Sequence, residues 1–290
     1  MERPNQEHAL DAAISEYLQR EDIEFFSTHG WWLSPKSLPE PMIDELMFTC
    51  ERVMNGESDA AFSQQLDLIL GAQPNSLVRQ VDYLSLRMEG VKGFLRNGIL
   101  PRIAAHLAKT SAIRLFHDQL VVKAPEDGTG SSTVGWHSDK SYWRSCTSEK
   151  MLTAWVALHD MDEKMGPIAF WDGSHRWDYE DRFETFGYHD LPELEQKFLR
   201  RGFPPRIEVV PLKKGQFTFH HCRIIHGSYA NDTQRPRLAY AIHFQDHENS
   251  FNSSPSSRPM ATHLNDMLCQ STKEGTPDYS DPEICPQLWP

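Results

Sequence analysis

No run of apolar residues in this chain approaches the roughly 18 that a membrane-spanning helix requires, so a spanning segment is excluded from the sequence reading. Paired cysteines are also missing. Cys50, Cys146, Cys222, Cys269 and Cys285 are scattered, odd in number and without a C-x-x-C pair, which argues against a disulfide framework and a structural zinc knuckle; they are expected to be reduced. Positive charge is scarce as well: 29 Lys and Arg stand against 41 Asp and Glu, a formal net charge of −12, and Lys213-Lys214 is an isolated basic pair. Such a chain repels phosphate backbones, and nucleic acid is excluded as a partner. The opening Met1 to His8 lacks the apolar h-region of a secretory signal, so the expected location is the cytoplasm. Without a secretion route, the acceptor triplets at Asn231 and Asn252 are read as chance.

What is present is enough for a large globular domain. The 290 residues are 39% hydrophobic and 11% aromatic, sufficient to enclose a cavity as well as a core. From about Ala9 to Ala108 the pattern is helical, with Leu10, Ala13, Ile14 and Tyr17 at helical spacing, a second helix over Pro41 to Met54 and a third segment over about Gly93 to Thr110. Between the first two, Phe25 to Leu33 reads as a helix end, a glycine stop and a short strand. At Ala112 the character changes. Ala112–Ala124, Met151–His159, Pro167–Trp171, Arg206–Val210, Gln216–His221 and Pro236–Gln245 read as short strands separated by turn signals. Strands after a helical preamble predict an α+β chain, mainly β, built as a sandwich or jelly roll with helices outside it. The expected organisation is one structural domain: helical support over residues 1–110, a catalytic core over 111–248 with a polar insertion at about 178–202 that could sit over a pocket mouth, and a Ser/Pro-rich tail over 249–290.

Chemistry concentrates in Gly135-Trp-His-Ser-Asp-Lys-Ser-Tyr-Trp143. In an extended segment residues i and i+2 share a face, roughly 7 Å apart, so His137 and Asp139 can converge on one ion. Alone, an H-x-D is more often a solvated turn. A third ligand must come from elsewhere; His226, after an apolar strand and before Gly227-Ser228, is the strongest candidate, with His220 and His221 as substitutes. Two histidines and a carboxylate leave one face of an ion open, the arrangement of non-haem iron(II) oxygenases. Eleven residues on, Arg237 opens a strand in which Arg237, Ala239, Ala241 and His243 share one face. An arginine on a face mostly of small residues has room in front of it for a carboxylate held bidentately.

Four collinear pieces, Trp136–Trp143, Thr153-Ala-Trp-Val-Ala-Leu-His-Asp160, Gly166-Pro-Ile-Ala-Phe-Trp-Asp-Gly-Ser-His-Arg176 and His226-Gly-Ser-Tyr-Ala-Asn231 with Arg237, make the chain resemble the phytanoyl-CoA dioxygenase family of iron(II)- and 2-oxoglutarate-dependent oxygenases. The resemblance covers about Ala112 to Phe244, and the early Phe26–Leu33 resembles the family's entry segment. It implies a double-stranded β-helix (cupin-like jelly roll) core and the cofactors Fe(II), 2-oxoglutarate and O2. It further implies iron ligands His137, Asp139 and His226, Arg237 and Ser228 on the distal carboxylate of 2-oxoglutarate, and Trp155 and Gln119 lining the cosubstrate pocket. Where relatives carry Pro-Gly-Ser-His this chain has Trp171-Asp-Gly-Ser-His175, so His175 is read as a turn residue. A helical-region residue binding 2-oxoglutarate in some relatives cannot be aligned, Arg87 being a guess. Asp139 argues against halogenation, which needs a small residue there.

The implied reaction is hydroxylation of an unactivated C–H bond of a small molecule, with release of succinate and carbon dioxide. Desaturation, ring closure and epoxidation use the same apparatus. Tyr142, Trp143, Arg144 and Trp171 are the expected substrate contacts, for an apolar or ring-containing molecule of metabolite, natural-product or acyl type with one anionic group for Arg144. The alternatives are a zinc hydrolase, which would not need Arg237, and a catalytically silent jelly-roll binding protein, which would lack one or more of the three ligands. Monomer and homodimer both remain open.

Overall fold

The structure is a computed structural model that describes residues 14–59, 77–128, 130–178, 183–204, 206–253 and 263–290. The first helix, α1 (Arg20–His29), opens on a reciprocal cap between Gln19 and Asp22 and stops at Gly30, whose φ of 78° few other residues tolerate. Strand β1 (Trp31–Leu33) follows at once, as the sequence pattern indicated. Helix α2 (Glu40–Met54) carries proline in its first turn and buries Ile43, Leu46, Cys50 and Val53, the face set by its apolar spacing. Of the expected first helix, Leu10 and Ala13 lie outside the described residues; Ile14, Tyr17 and Leu18 are buried.

Two expectations for the first hundred residues are corrected. Strand β2 (Val78–Asp82) lies within the stretch read as helical; its side chains are mostly polar, and it is a strand because it pairs along its length with β3 (Ile113–Lys123). The segment read as one helix over Gly93–Thr110 is preceded by α3 (Leu84–Arg87) and is itself divided into α4 (Glu89–Leu95) and α5 (Ile99–Ala108). The break falls at Gly98, with φ 84°.

The remaining strands are β4 (Val134–His137), β5 (Leu152–Ala157), β6 (Ala169–Trp171), β7 (Ile207–Val209), β8 (Phe217–His221), β9 (His226–Ser228), β10 (Arg237–Asp246) and β11 (Gln287–Trp289). They form two antiparallel sheets, a larger one in the order β1-β8-β5-β10-β3-β11 with β2 also on β3, and a smaller one in the order β4-β9-β6-β7. The period of two on β10 sorts its side chains cleanly. Leu238, Tyr240, Ile242 and Phe244 face the helices, in a core with Ile43, Leu100, Ile103, Phe217 and Phe219. Ala239 and Ala241 face the other sheet, in a second core with Val121, Trp155, Ile168 and Phe170. The small residues keep that inner layer thin, and the cavity opens there.

The polar insertion holds α7 (Leu191–Arg200), the short helix α6 (Asp139–Tyr142) having come before it. Leu194 and Phe198 of α7 pack with Trp136, Trp171 and Ile225 on the outside of the smaller sheet rather than over the cavity. One residue of the insertion, Phe186, does reach the cavity wall. The segment runs so close to β4 that a Cβ on Gly135 would sit 1.8 Å from the Thr185 carbonyl, which makes glycine obligatory there. Residues 263–290 of the tail are laid over the barrel: α8 (Asn265–Leu268) and Tyr279, Ile284 and Cys285 pack on Phe116 and Trp143, and β11 extends the larger sheet. All five cysteines are buried free thiols. No described helix is long and apolar enough to cross a membrane.

Candidate metal centre

His137 ends β4 and faces His226 of β9 directly across the strand pair. Their ring centroids are 4.2 Å apart. Each Nδ1 is spoken for by a carbonyl, His137 by Gly135 at 2.7 Å and His226 by Ile224 at 3.1 Å. A carbonyl only accepts, so the proton sits on Nδ1 in both rings and each Nε2 carries a free lone pair. Burial lowers both imidazole pKa values, that of His226 to well below the usual range, so both rings are neutral ligands at pH 7.

The extended backbone of the H-x-D runs only to Ser138; Asp139 is the first residue of α6, so the pair straddles a strand end rather than lying within a strand. The i, i+2 convergence survives because Ser138 itself is extended, at φ −117° and ψ 142°. Ligand atoms of His137, Asp139 and His226 all lie within 4.8 Å of one another, and the three residues are buried. Burial alone would raise the Asp139 pKa, but His226 and the hydrogen bond from His220 outweigh it and hold the carboxyl well below its ordinary value. Two neutral imidazole lone pairs and one carboxylate, enclosed together, suit a divalent first-row metal such as iron(II).

The two carboxylate oxygens have different surroundings. Oδ1 is the one near His226 Nε2, at 3.6 Å. Oδ2 accepts from Thr153 Oγ1 at 2.7 Å and from His220 Nε2 at 3.2 Å. Because the Thr153 hydroxyl spends its proton on Asp139, the His243 Nδ1 at 2.7 Å must donate to it, and His243 Nε2 is left to accept from Gln119 Nε2 at 3.2 Å. Gln119 in turn accepts from Gln80 at 2.8 Å. The result is a one-way chain of donors, Gln80 to Gln119 to His243 to Thr153 to Asp139. His220, a substitute ligand on sequence grounds, hydrogen-bonds the carboxylate instead, and His221 does not line the cavity.

The metal-ligand cluster opens on a cavity of about 300 Å³. Arg237, 2% exposed, also lines it, donates from Nη1 to the Gly166 carbonyl at 2.9 Å and lies 5.0 Å over the Trp155 ring. Its Nε has no hydrogen-bond partner among the described residues, and burial lowers its pKa to about 9. Ser228, Trp155 and Gln119 line the same cavity, as do Tyr142, Trp143 and Phe186. Two expected substrate contacts do not. Arg144 is drawn 2.6 Å from Glu184, because α6 turns the chain after Tyr142, and Trp171 points to the outer face, where it packs edge-on against Trp136 and Phe198. Of the tryptophans flanking the H-x-D only Trp143 faces the cavity. His175 is a turn residue whose Nε2 lies 3.2 Å from the Ser27 carbonyl, away from the cavity. Arg87 does not line it either. Sequence reasoning missed Asp82, His117 and His263 on the wall, none of which has a neighbouring motif.

A profile of the family described as Phytanoyl-CoA dioxygenase (PhyH) matches residues 78–239, more than half of the chain and inclusive of all three ligand candidates and Arg237. The chain belongs to the phytanoyl-CoA dioxygenase family. Among curated relatives, the peroxisomal phytanoyl-CoA dioxygenase of Mus musculus is 30% identical over 140 residues, 46% of this chain and 39% of that protein. That of Rattus norvegicus is 28% identical over 238 residues, 78% of this chain and 68% of that protein. The chain thus spans about two fifths of the length of most of the first curated relatives it matches. The fold is that of the iron- and 2-oxoglutarate-dependent oxygenases with a double-stranded β-helix core. The non-haem alpha-ketoglutarate-dependent carbocyclase SnoK from nogalamycin biosynthesis superposes with a TM-score of 0.71 at 22% identity, covering 95% of this chain and 98% of that one. EctD from S. alaskensis in its apoform gives 0.64 at 18% identity, covering 81% and 79%. The family's cofactors are iron(II) and 2-oxoglutarate, with dioxygen as co-reactant.

Proposed function

We propose that this chain is an iron(II)- and 2-oxoglutarate-dependent dioxygenase that hydroxylates an unactivated C–H bond of a small molecule. The observation that carries the reading is the presence, on the wall of one cavity, of a 2-His-1-carboxylate cluster together with a buried arginine, whose Nε has no hydrogen-bond partner among the described residues, and a serine. His137, Asp139 and His226 would hold the metal. When bound, iron(II) with 2-oxoglutarate supplies dioxygen activation and oxidative attack on carbon, with release of succinate and carbon dioxide. Arg237 and Ser228 would take the distal carboxylate, and Trp155 fixes the guanidinium plane from behind. The protein's own contribution is position and exclusion of water: Ile168, Val121 and Val134 supply apolar wall to the cavity.

The substrate is ring-containing and carries no anionic group into the cavity. Tyr142, Trp143 and Phe186 form its aromatic wall, while Arg237 is the only Lys or Arg among the described lining residues. Asp82 adds a carboxylate; burial raises its pKa, but His117 Nε2 at 3.1 Å outweighs that and keeps it lowered. A single-domain organisation and a cytoplasmic location belong to the same proposal.

The test is succinate release. Iron-loaded protein given 2-oxoglutarate and oxygen should form succinate, and His137→Ala and Asp139→Ala should lower it by a factor of about 100 or more, the scale of removing a ligand from a catalytic metal. Hydrolytic activity of the zinc-loaded protein, with no succinate from the iron-loaded one, would overturn the proposal.

A further inference from the structure

Lys123, the last residue of β3, has 0% exposure. Its ammonium donates to Ser228 Oγ and to the Tyr229 carbonyl, both at 2.5 Å. Neither acceptor is charged. Across the strand pair Lys123 stands directly opposite Arg237, itself 2% exposed and, among the described residues, hydrogen-bonded to the Gly166 carbonyl. Two basic side chains are therefore buried side by side, and among the described residues no carboxylate is hydrogen-bonded to either. Taking an ion out of water costs several kcal/mol unless a partner compensates it. Burial, and then Arg237, push the Lys123 pKa well below the usual lysine value, Glu126 pulling the other way.

An ammonium has no acceptor capacity, so Ser228 Oγ receives its hydrogen and must direct its own elsewhere. Ser228 lines the cavity; Lys123 does not. We propose that Lys123 is a positioning residue for the cosubstrate: it turns the Ser228 hydroxyl hydrogen into the cavity, so that Ser228 and Arg237 present only donors to the distal carboxylate of 2-oxoglutarate. The inference rests on the cosubstrate reading given above.

The experiment measures dissociation constants of 2-oxoglutarate and of 2-oxobutyrate, which has the same 2-oxo acid end and no distal carboxylate, on anaerobic iron(II)-loaded protein. Wild type, Lys123→Met, Ser228→Ala and the double variant are compared. Lys123→Met should weaken 2-oxoglutarate about 10-fold, the scale of one charge-assisted hydrogen bond, and leave 2-oxobutyrate within about twofold. The double variant should bind no more weakly than the weaker single one, since Lys123 acts through Ser228. Equal weakening of both acids, unchanged 2-oxoglutarate binding, or full additivity would overturn the role of Lys123. If Lys123→Met does not fold, Lys123→Gln, which keeps a donor without the charge, is read by the same ratio of the two acids. A wild type that binds the two acids alike would instead sink the cosubstrate reading, and this inference with it.

Discussion

Thr153 Oγ1 donates to Asp139 Oδ2 over 2.7 Å, and it can do so because His243 supplies the hydrogen that satisfies its own lone pair. The contact fixes which carboxylate oxygen is held by protein and which faces His226 Nε2. Thr153→Val keeps the shape and removes the hydroxyl, leaving Asp139 with His220 alone and His243 with an unmet donor. Loss of such an outer partner typically lowers metal affinity by about 10- to 100-fold. Calorimetric titration of Thr153→Val with manganese(II) should show that drop; unchanged affinity would mean that the chain from Gln80 to Asp139 does not position the ligand.

Acid should destabilise the metal-free protein well above the range where carboxylates titrate. Burial, the largest cause in each case, lowers the pKa of His221 and of His243 to about 3. A histidine with a depressed folded-state pKa binds its proton only on unfolding, so stability rises with pH between the folded value and the unfolded one near 6.5. Going from pH 6.5 to 5.5 should cost about 1 kcal/mol for each of these rings, an order-of-magnitude figure from that linkage. Urea midpoints across this interval should fall with pH, less steeply in His221→Asn. Flat midpoints would show that the rings are not held neutral.

Arg144 should be dispensable for the chemistry. Its guanidinium is committed to Glu184 and to the Ser141 carbonyl, outside the cavity. Arg144→Ala is expected to change 2-oxoglutarate affinity and succinate formation by less than about twofold, since exposed ion pairs contribute at most about 1 kcal/mol. Phe186→Ala opens the cavity wall and should raise succinate formation uncoupled from any substrate. A large effect of Arg144→Ala on either readout would return that residue to the substrate path.

Much of the candidate site was legible in the sequence because its signals are local. The H-x-D needs only an extended residue between its members, and the inward row of Arg237, Ala239, Ala241 and His243 follows from the period of a strand. Neither depends on knowing which strands are neighbours. Thr153 and Lys123 do depend on it: His243 meets Thr153 and Arg237 meets Lys123 only because β10 lies between β5 and β3 in one particular register. Adjacency in sequence misled in the opposite sense at Arg144, where the turn of α6 carries the next residue away from the wall that Trp143 forms. Trp171 was misplaced by one face of a three-residue strand: Phe170 points inward and Trp171 outward. β2 was missed because its composition is polar and its conformation comes from pairing with β3.

The cofactor assignment is tested most directly by anaerobic titration of the iron(II)-loaded protein with 2-oxoglutarate, following the weak visible charge-transfer absorption that arises when a 2-oxo acid chelates iron(II). The expected result is a saturable band in the wild type that in Arg237→Ala requires on the order of 100-fold more 2-oxoglutarate, two charge-assisted hydrogen bonds having been lost. A folded, iron-loaded protein that shows no band and binds no 2-oxoglutarate would contradict it.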